Sequence, residues 1–423
     1  MTDILGGTLL DPESGKAGLY DLRIRDGIIT EIAEGGKLPA AEADVIDATG
    51  RIVTAGLVDP HVHFRDPGFT HKEDILTGAE AAKRGGYTSV VMMGNTSPHP
   101  DNLETLRYMI EKGAQTGIRV YACANVTMGM EGKELTDLEA LAAAGAVLFT
   151  DDGLPVTDAG IMREACKRAH ALGKMISLHE EDPAFVKESG VNAGAVAKEL
   201  GLSGASREAE YSMVERDLAI VRETGCAIDV QHVSCKESVE LIREAKKEGL
   251  PVHAEATPHH FSLTEDAVLQ YGTLAKVNPP IRTEEDRRAI IEGLKDGTID
   301  MIATDHAPHA AEEKALPFVK APSGMTGLEN ALSLGLRELV RPGHLTLMEL
   351  LRLMSTNPAR IVGIPGGCVR EGAEADLLIF DPDTERVADR GLSRSSNTPF
   401  TGQRMPGVVH TVICKGKTVY ENV

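Results

Sequence analysis

Two histidines spaced one residue apart, His61 and His63, follow an apolar run in Asp59-Pro60-His61-Val62-His63-Phe64-Arg65. Residues two apart in an extended strand point to the same side, so both imidazoles can face one metal ion. Met175-Ile176-Ser177-Leu178-His179 and Ala227-Ile228-Asp229-Val230-Gln231-His232 each end an apolar run in histidine. Ile299 to Asp305 ends another in aspartate, and Ala146 to Asp152 closes on a carboxylate pair. A single histidine after a strand is ordinarily a rim or core residue. Several strand ends of this kind in one chain indicate a metal centre, because neutral imidazoles and carboxylates together suit zinc and similar divalent ions. Four histidines and two carboxylates exceed what one open catalytic zinc needs, and they are enough for two ions about 3.5–4 Å apart. Close cations need an anionic bridge, which Asp151 or Asp152 can supply. Metal-assisted hydrolysis is the chemistry that such a centre performs.

Such residues need a scaffold that brings strand ends together. Between about 55 and 365 the sequence alternates apolar runs with helical patterns. The runs end near His63, Met93, Ala124, Asp151, His179, His232, Glu255 and Asp305. Helical patterns lie at Glu73 to Arg84, Leu103 to Lys112 and Ser238 to Lys247. Eight strands alternating with helices predict an α/β chain folded as a (β/α)8 barrel, whose active sites gather at the C-terminal ends of the strands. A doubly wound open sheet is the competing arrangement. Both ends of the chain read differently. Leu19 to Ile24, Asp26-Gly27 and Ile28 to Ile32 form a hairpin pattern, and Asp376 to Phe380 and Val408 to Cys414 are strand-like. The expected organisation is 1–55 and 366–423 as two parts of a small β-sandwich lobe, with 56–365 as the barrel.

Composition narrows the function. The chain carries 64 acidic and 44 basic side chains, a formal net charge of −20. Such a surface repels nucleic acid and anionic membranes and disfavours a metal-dependent nuclease. No apolar stretch approaches the ~18–20 residues of a membrane span. The six cysteines form no CxxC pair, and the start lacks the pattern of a signal peptide, so a reduced, cytoplasmic setting is expected. An acidic protein that binds an anionic substrate must supply a local cation. Arg65, two residues past His63, can share its face and present a bidentate fork.

The run Gly56-Leu57-Val58-Asp59-Pro60-His61-Val62-His63-Phe64-Arg65-Asp66-Pro67-Gly68 resembles the metal motif of the dihydroorotases. Ala303-Thr304-Asp305-His306-Ala307-Pro308-His309 resembles their second signature. Ala375 to Asp381 resembles the end of the composite lobe in the wider amidohydrolase superfamily. The likeness spans essentially the whole chain, though each piece is shared with hydantoinases and allantoinases.

The resemblance implies two zinc ions per subunit, with His61, His63, His179, His232 and Asp305 as ligands. Many relatives bridge the ions with a carbamylated lysine at the end of the fourth strand. Phe149-Thr150-Asp151-Asp152-Gly153 has no lysine there. That pattern resembles the subgroup with a bridging aspartate, and the matching position is Asp152 rather than Asp151. The resemblance further implies that Asn95 and His309 contact a substrate carboxylate with Arg65, and that Asn278 reads the ring edge. Ser323 and Gly324 are implied substrate contacts, with His63 also lining the substrate site. His259, His260 and His306 are expected to be supporting residues, and the polar 310–324 segment is a candidate lid.

The implied activity is reversible cyclisation of N-carbamoyl-L-aspartate to (S)-dihydroorotate, with Asp305 moving the proton. The rivals are a hydantoinase or allantoinase, and a non-catalytic scaffold subunit. Self-assembly, and association with aspartate transcarbamoylase, are open expectations.

Overall fold

A computed structural model describes residues 1–422. Five strands open the chain: β1 (Thr2–Asp11), β2 (Lys16–Arg25), β3 (Ile28–Glu34), β4 (Asp44–Asp47) and β5 (Ile52–Ala55). Seven short ones follow between helices: β6 (Leu57–Val62), β7 (Tyr87–Met92), β8 (Arg119–Ala122), β9 (Ile176–Leu178), β10 (Ile228–Val230), β11 (Val252–Ala256) and β12 (Met301–Ile302). Three close the sequence: β13 (Leu377–Val387), β14 (Arg404–Cys414) and β15 (Lys417–Glu421).

The first five and last three strands form one sheet in the order β15-β14-β13-β5-β1-β2-β3, with β4 also paired to β1. Asp26 and Gly27 turn β2 into β3 with positive φ of 50° and 83°, as an Asp-Gly hairpin requires. Lys415 and Gly416 repeat that geometry between β14 and β15. Ile4, Leu9, Leu22, Val53, Leu377 and Ile413 bury together as the lobe's own core.

The middle strands are parallel and form two ladders, β6-β7-β8 and β9-β10-β11-β12. Two further contacts close the ring. Phe149 bridges Ala124 on one side and Ile176 on the other, and Val62 pairs with His306. The result is the expected eight-stave barrel. The fourth stave is shorter than the sequence suggests. Ala144 and Gly145 turn, leaving only a few residues before Asp151, and only the ladder bridges are confined to Phe149. Backbone hydrogen bonds run from Val147, which donates to Ala122 O at 3.2 Å, to Thr150, which donates to Ala124 O at 3.0 Å. On the other side Phe149 donates to Met175 O at 3.1 Å. The helices expected from periodicity form at Ile75–Arg84, Leu103–Gly113 and Lys236–Lys247. Among the described residues, no helix is long and apolar enough to cross a membrane.

Tyr87 opens β7 fully buried, and its hydroxyl has no hydrogen-bond partner among the described residues. A buried polar atom without a partner costs about 1–3 kcal/mol. Tyr87→Phe is therefore expected to stabilise the fold by about 1 kcal/mol. A raised urea midpoint would show it, and a lowered one would contradict it.

Candidate metal centre and substrate cavity

Strand β6 delivers His61 and, just past its end, His63. Asp59, two residues before His61, is sealed inside the barrel. Its carboxylate accepts from the Thr304 amide at 3.1 Å, the Thr304 hydroxyl at 2.5 Å and the His61 amide at 3.1 Å. It thereby ties the end of β6 to the end of β12, and so His61 to the neighbourhood of Asp305. Burial pushes the Asp59 carboxyl up to about 7, against those hydrogen bonds.

His179 follows β9, His232 follows β10 and Asp305 follows β12. Arg65, His232 and Asp305 hold positive φ of 58°, 33° and 46°. Among the described residues, three of the six non-glycine residues with left-handed backbone thus fall at this one site. Such conformations cost on the order of 1–3 kcal/mol each and persist where surroundings impose them, commonly at functional sites.

The centre is organised around Asp152. One of its oxygens, Oδ2, lies 3.7 Å from His61 Nε2 and 3.4 Å from His63 Nε2. The other, Oδ1, lies 3.4 Å from His179 Nδ1 and 3.8 Å from His232 Nε2. Each carboxylate oxygen therefore serves a separate pair of imidazoles. Asp305 Oδ1 lies 2.9 Å from His63 Nε2 and 3.6 Å from His61 Nε2, on the first pair's side. Asp151 is turned elsewhere. Its carboxylate accepts from the Val126 amide at 2.8 Å and the Thr127 amide at 3.2 Å, and from the Thr127 hydroxyl.

The arrangement fits two divalent ions. His61, His63 and Asp152 bring donor atoms within 4.8 Å of one another, and so do Asp152, His179 and His232. His61 Nε2 is buried without a hydrogen-bond partner among the described residues. His179 Nδ1 and His232 Nε2 face each other at 3.0 Å, two ring nitrogens competing for one space. A cation beside each pair would satisfy all of them.

The electrostatics agree. Burial opposes a charge on His61, yet the Asp152 and Glu255 carboxylates raise its imidazole well above the usual value. Burial likewise opposes charge on His179, and hydrogen bonds to Asp152 and Glu181 lift it to about 10. Burial alone would raise the Asp152 carboxyl, but charge on His61 and contacts to His179 and His232 hold it well below the carboxylate range. The pocket demands positive charge between its acids.

A cavity of about 180 Å³ opens over this cluster. Its walls include His63, Asp152, His179, His232 and Asp305, and also Arg65, Asn95, Asn278, His309, Ser323 and Gly324. Every site residue expected from the sequence is thus on this wall except His61, which lies behind it. Asn95 Oδ1 meets His63 Nδ1 at 2.9 Å. Asn278 accepts from the Ser323 hydroxyl at 3.2 Å. Arg65 donates through Nε to Pro308 O at 3.2 Å. His309 Nε2 donates to Ser323 O at 2.8 Å, and Lys72 Nζ lies 3.5 Å from its Nδ1. Burial, then the nearby Arg65, Lys72 and Lys314 charges, keep His309 neutral down to about 2.

The 310–324 segment is tied down. It forms a short helix, Ala311–Lys314. The buried Lys314 ammonium donates to Pro322 O and Gly324 O, both at 2.9 Å, and Lys276 donates to Phe318 O and Ala321 O, both at 2.7 Å. His306 Nε2 faces Glu73 at 3.5 Å, and His260 is held between the Thr257 hydroxyl and Pro279 O.

Sequence reasoning missed Glu255, whose carboxylate lies 3.1 Å from His61 Nδ1. An outer carboxylate on a ligating histidine fixes its tautomer, leaving Nε2 free to bind. Its signal was present, since Glu255 ends a predicted strand as the histidines do.

The chain matches the Amidohydrolase family over residues 52–419. It belongs to the amidohydrolase family. The membership expected from the motifs therefore holds, and with it a metal-dependent hydrolase on a barrel. Among the relatives of this amidohydrolase, the dihydroorotase of Clostridioides difficile strain 630 is 50% identical, covering 99% of each chain. The dihydroorotase of Clostridium acetobutylicum is 47% identical over 100% of both chains. Among solved structures, the L-hydantoinase from Arthrobacter aurescens aligns with a TM-score of 0.89 at 26% identity, covering 99% of this chain and 96% of that one. A dihydropyrimidinase from Brevibacillus agri aligns at 0.87 and 25%, covering 100% and 95%.

Proposed function

We propose that this amidohydrolase is a dihydroorotase, interconverting N-carbamoyl-L-aspartate and (S)-dihydroorotate in pyrimidine synthesis. One observation carries the reading: a buried histidine–aspartate cluster and an arginine fork line the same cavity. The first suits hydrolysis of a ring amide, and the second suits a ring that bears a carboxylate. Relatives named dihydroorotase at 47–50% identity over the full chain support it.

In this reading His61, His63 and Asp305 hold one divalent ion, and His179 and His232 hold a second. Asp152 joins the two sites. The nitrogen-rich donor set favours zinc, two per subunit. Bound there, the pair supplies Lewis acidity toward the ring carbonyl and the attacking water. Asp305 is the proton carrier. It accepts a proton from that water and delivers it to the departing ring nitrogen. Arg65 holds the substrate carboxylate with Asn95 and His309 beside it. Asn278, Ser323 and Gly324 meet the ring edge. Ring closure uses the same groups in the opposite order, since both directions share one transition state.

A cytoplasmic setting agrees with six unpaired cysteines. Assembly with itself or with an aspartate transcarbamoylase belongs to the same proposal, and light scattering with and without that enzyme reads it.

The test is turnover of dihydroorotate beside hydantoin and allantoin. Dihydroorotate is expected to be preferred, and preference for either uncharged ring would favour the hydantoinase reading. Arg65→Met is expected to raise KM for dihydroorotate by about 10–100-fold, the scale of a lost charge-assisted pair of about 1.5–3 kcal/mol. An unchanged KM would remove Arg65 from the carboxylate site.

A further inference from the structure

The connection between β13 and β14 leaves the lobe and packs against the barrel loops of the cavity. Its polar run Ser393-Arg394-Ser395-Ser396-Asn397 serves no role in the chemistry above. Asn397 is buried, and its carboxamide is spent wholly on the cavity wall. The His309 amide donates to Oδ1 at 3.0 Å. Nδ2 donates to Ala307 O at 3.1 Å and to Gly324 O at 3.0 Å. The Thr326 amide donates to the Asn397 carbonyl at 3.1 Å. This pattern fixes the amide's orientation, because a flipped group would set its NH2 against an N–H and its oxygen against two carbonyls.

The atoms it joins belong to two different loops. Ala307, Pro308 and His309 follow β12, and Arg65 Nε hangs from Pro308 O. Ser323 and Gly324 form the facing segment. These loops touch so closely that only glycine fits: Gly324 has φ 133°, and a Cβ there would meet the Ala307 Cβ at 2.7 Å and His309 Nε2 at 3.1 Å. Lys314 shares the Gly324 carbonyl from another direction at 2.9 Å. Among the described residues, Asn397 is the one side chain from the terminal lobe that hydrogen-bonds to the backbones of both loops.

We propose that Asn397 is a positioning residue for the carboxylate end of the substrate. It fixes the backbone that aims Arg65, His309 and Gly324, so the lobe takes part in substrate selection. This rests on the reading of Arg65 and His309 as carboxylate contacts.

The experiment compares unsubstituted enzyme, Arg65→Met, Asn397→Ala and Asn397→Asp with dihydroorotate as substrate, together with zinc content and hydrogen exchange of the 306–325 region. The aspartate variant keeps the acceptor for the His309 amide but turns a carboxylate toward two carbonyls. For both Asn397 variants KM is expected to rise about tenfold or more, equivalent to about 1.4 kcal/mol. Their kcat is expected to stay within about threefold of the unsubstituted enzyme, about 0.65 kcal/mol, and zinc content to be unchanged. Exchange at His309 is expected to quicken in Asn397→Ala. An unchanged KM, or a fall in kcat alone, would overturn the proposal. If one variant fails to fold, the other carries the same readings. If unsubstituted enzyme does not turn over dihydroorotate, or Arg65→Met leaves KM unaltered, the functional reading fails instead, and the exchange result still reports whether Asn397 holds the loops.

Discussion

Asp305→Asn is expected to lower kcat by about 10²–10⁴-fold, the range that a positioned acid–base group supplies, while most of the bound metal is retained. Asparagine keeps the shape of aspartate and one carbonyl oxygen, but it is neither an anion nor a base. Burial alone would raise the Asp305 carboxyl. Its hydrogen bond to His63 and the charges on His61, His63 and His232 hold it below the ordinary range, so it is an anion throughout the working pH range. That state is the one needed to accept a proton. Because the overall equilibrium is untouched, kcat/KM must fall by the same factor for ring opening and ring closing. Assays in both directions, with zinc measured on the same sample, check the prediction. A variant within tenfold of the unsubstituted rate would assign the proton to another group.

Asp152→Ala is expected to act one stage earlier, on the metal itself. The two oxygens of Asp152 address His61 with His63, and His179 with His232. Without them, two cations would lie side by side with no protein anion between them. On the proposed two-zinc reading, zinc bound after dialysis against a mild chelator is expected to fall from two per chain to one or fewer. Activity should drop by more than the roughly 10–100-fold that outer-shell partners of a metal usually cost. Full zinc occupancy in this variant would show that another group bridges. Asp151 is no substitute, because it is already spent on the Val126 and Thr127 amides.

Much of this site could be read from local pattern. The alternation at His61 and His63, and the polar residues closing apolar runs at His179, His232 and Asp305, are short-range signals of strand periodicity. The Asp26-Gly27 turn is equally local. Other features depend on distance in the chain. Nothing in Asp151-Asp152 alone says which acid faces inward; the amides of Val126 and Thr127 settle the orientation, and only the family resemblance anticipated it. The fourth stave was expected as a full strand, yet its pairing is decided by how closely Ala124 and Ile176 approach it. Asn397 lies 88 residues beyond His309. Its three backbone partners leave no periodic trace, so its part in the cavity wall was invisible before the fold was known.

The placement of β5 has a consequence for the chain's birth. β5 lies inside the lobe sheet, flanked by β1 from the start of the chain and β13 from near its end. At roughly 5–20 residues per second, the ~320 residues between them take on the order of 15–60 s to synthesise. Throughout that time one edge of β5 emerges from the ribosome without its neighbour, open to strands of other nascent chains. Translation speed through the barrel, and any chaperone that shields that edge, should therefore set how much of the enzyme escapes aggregation.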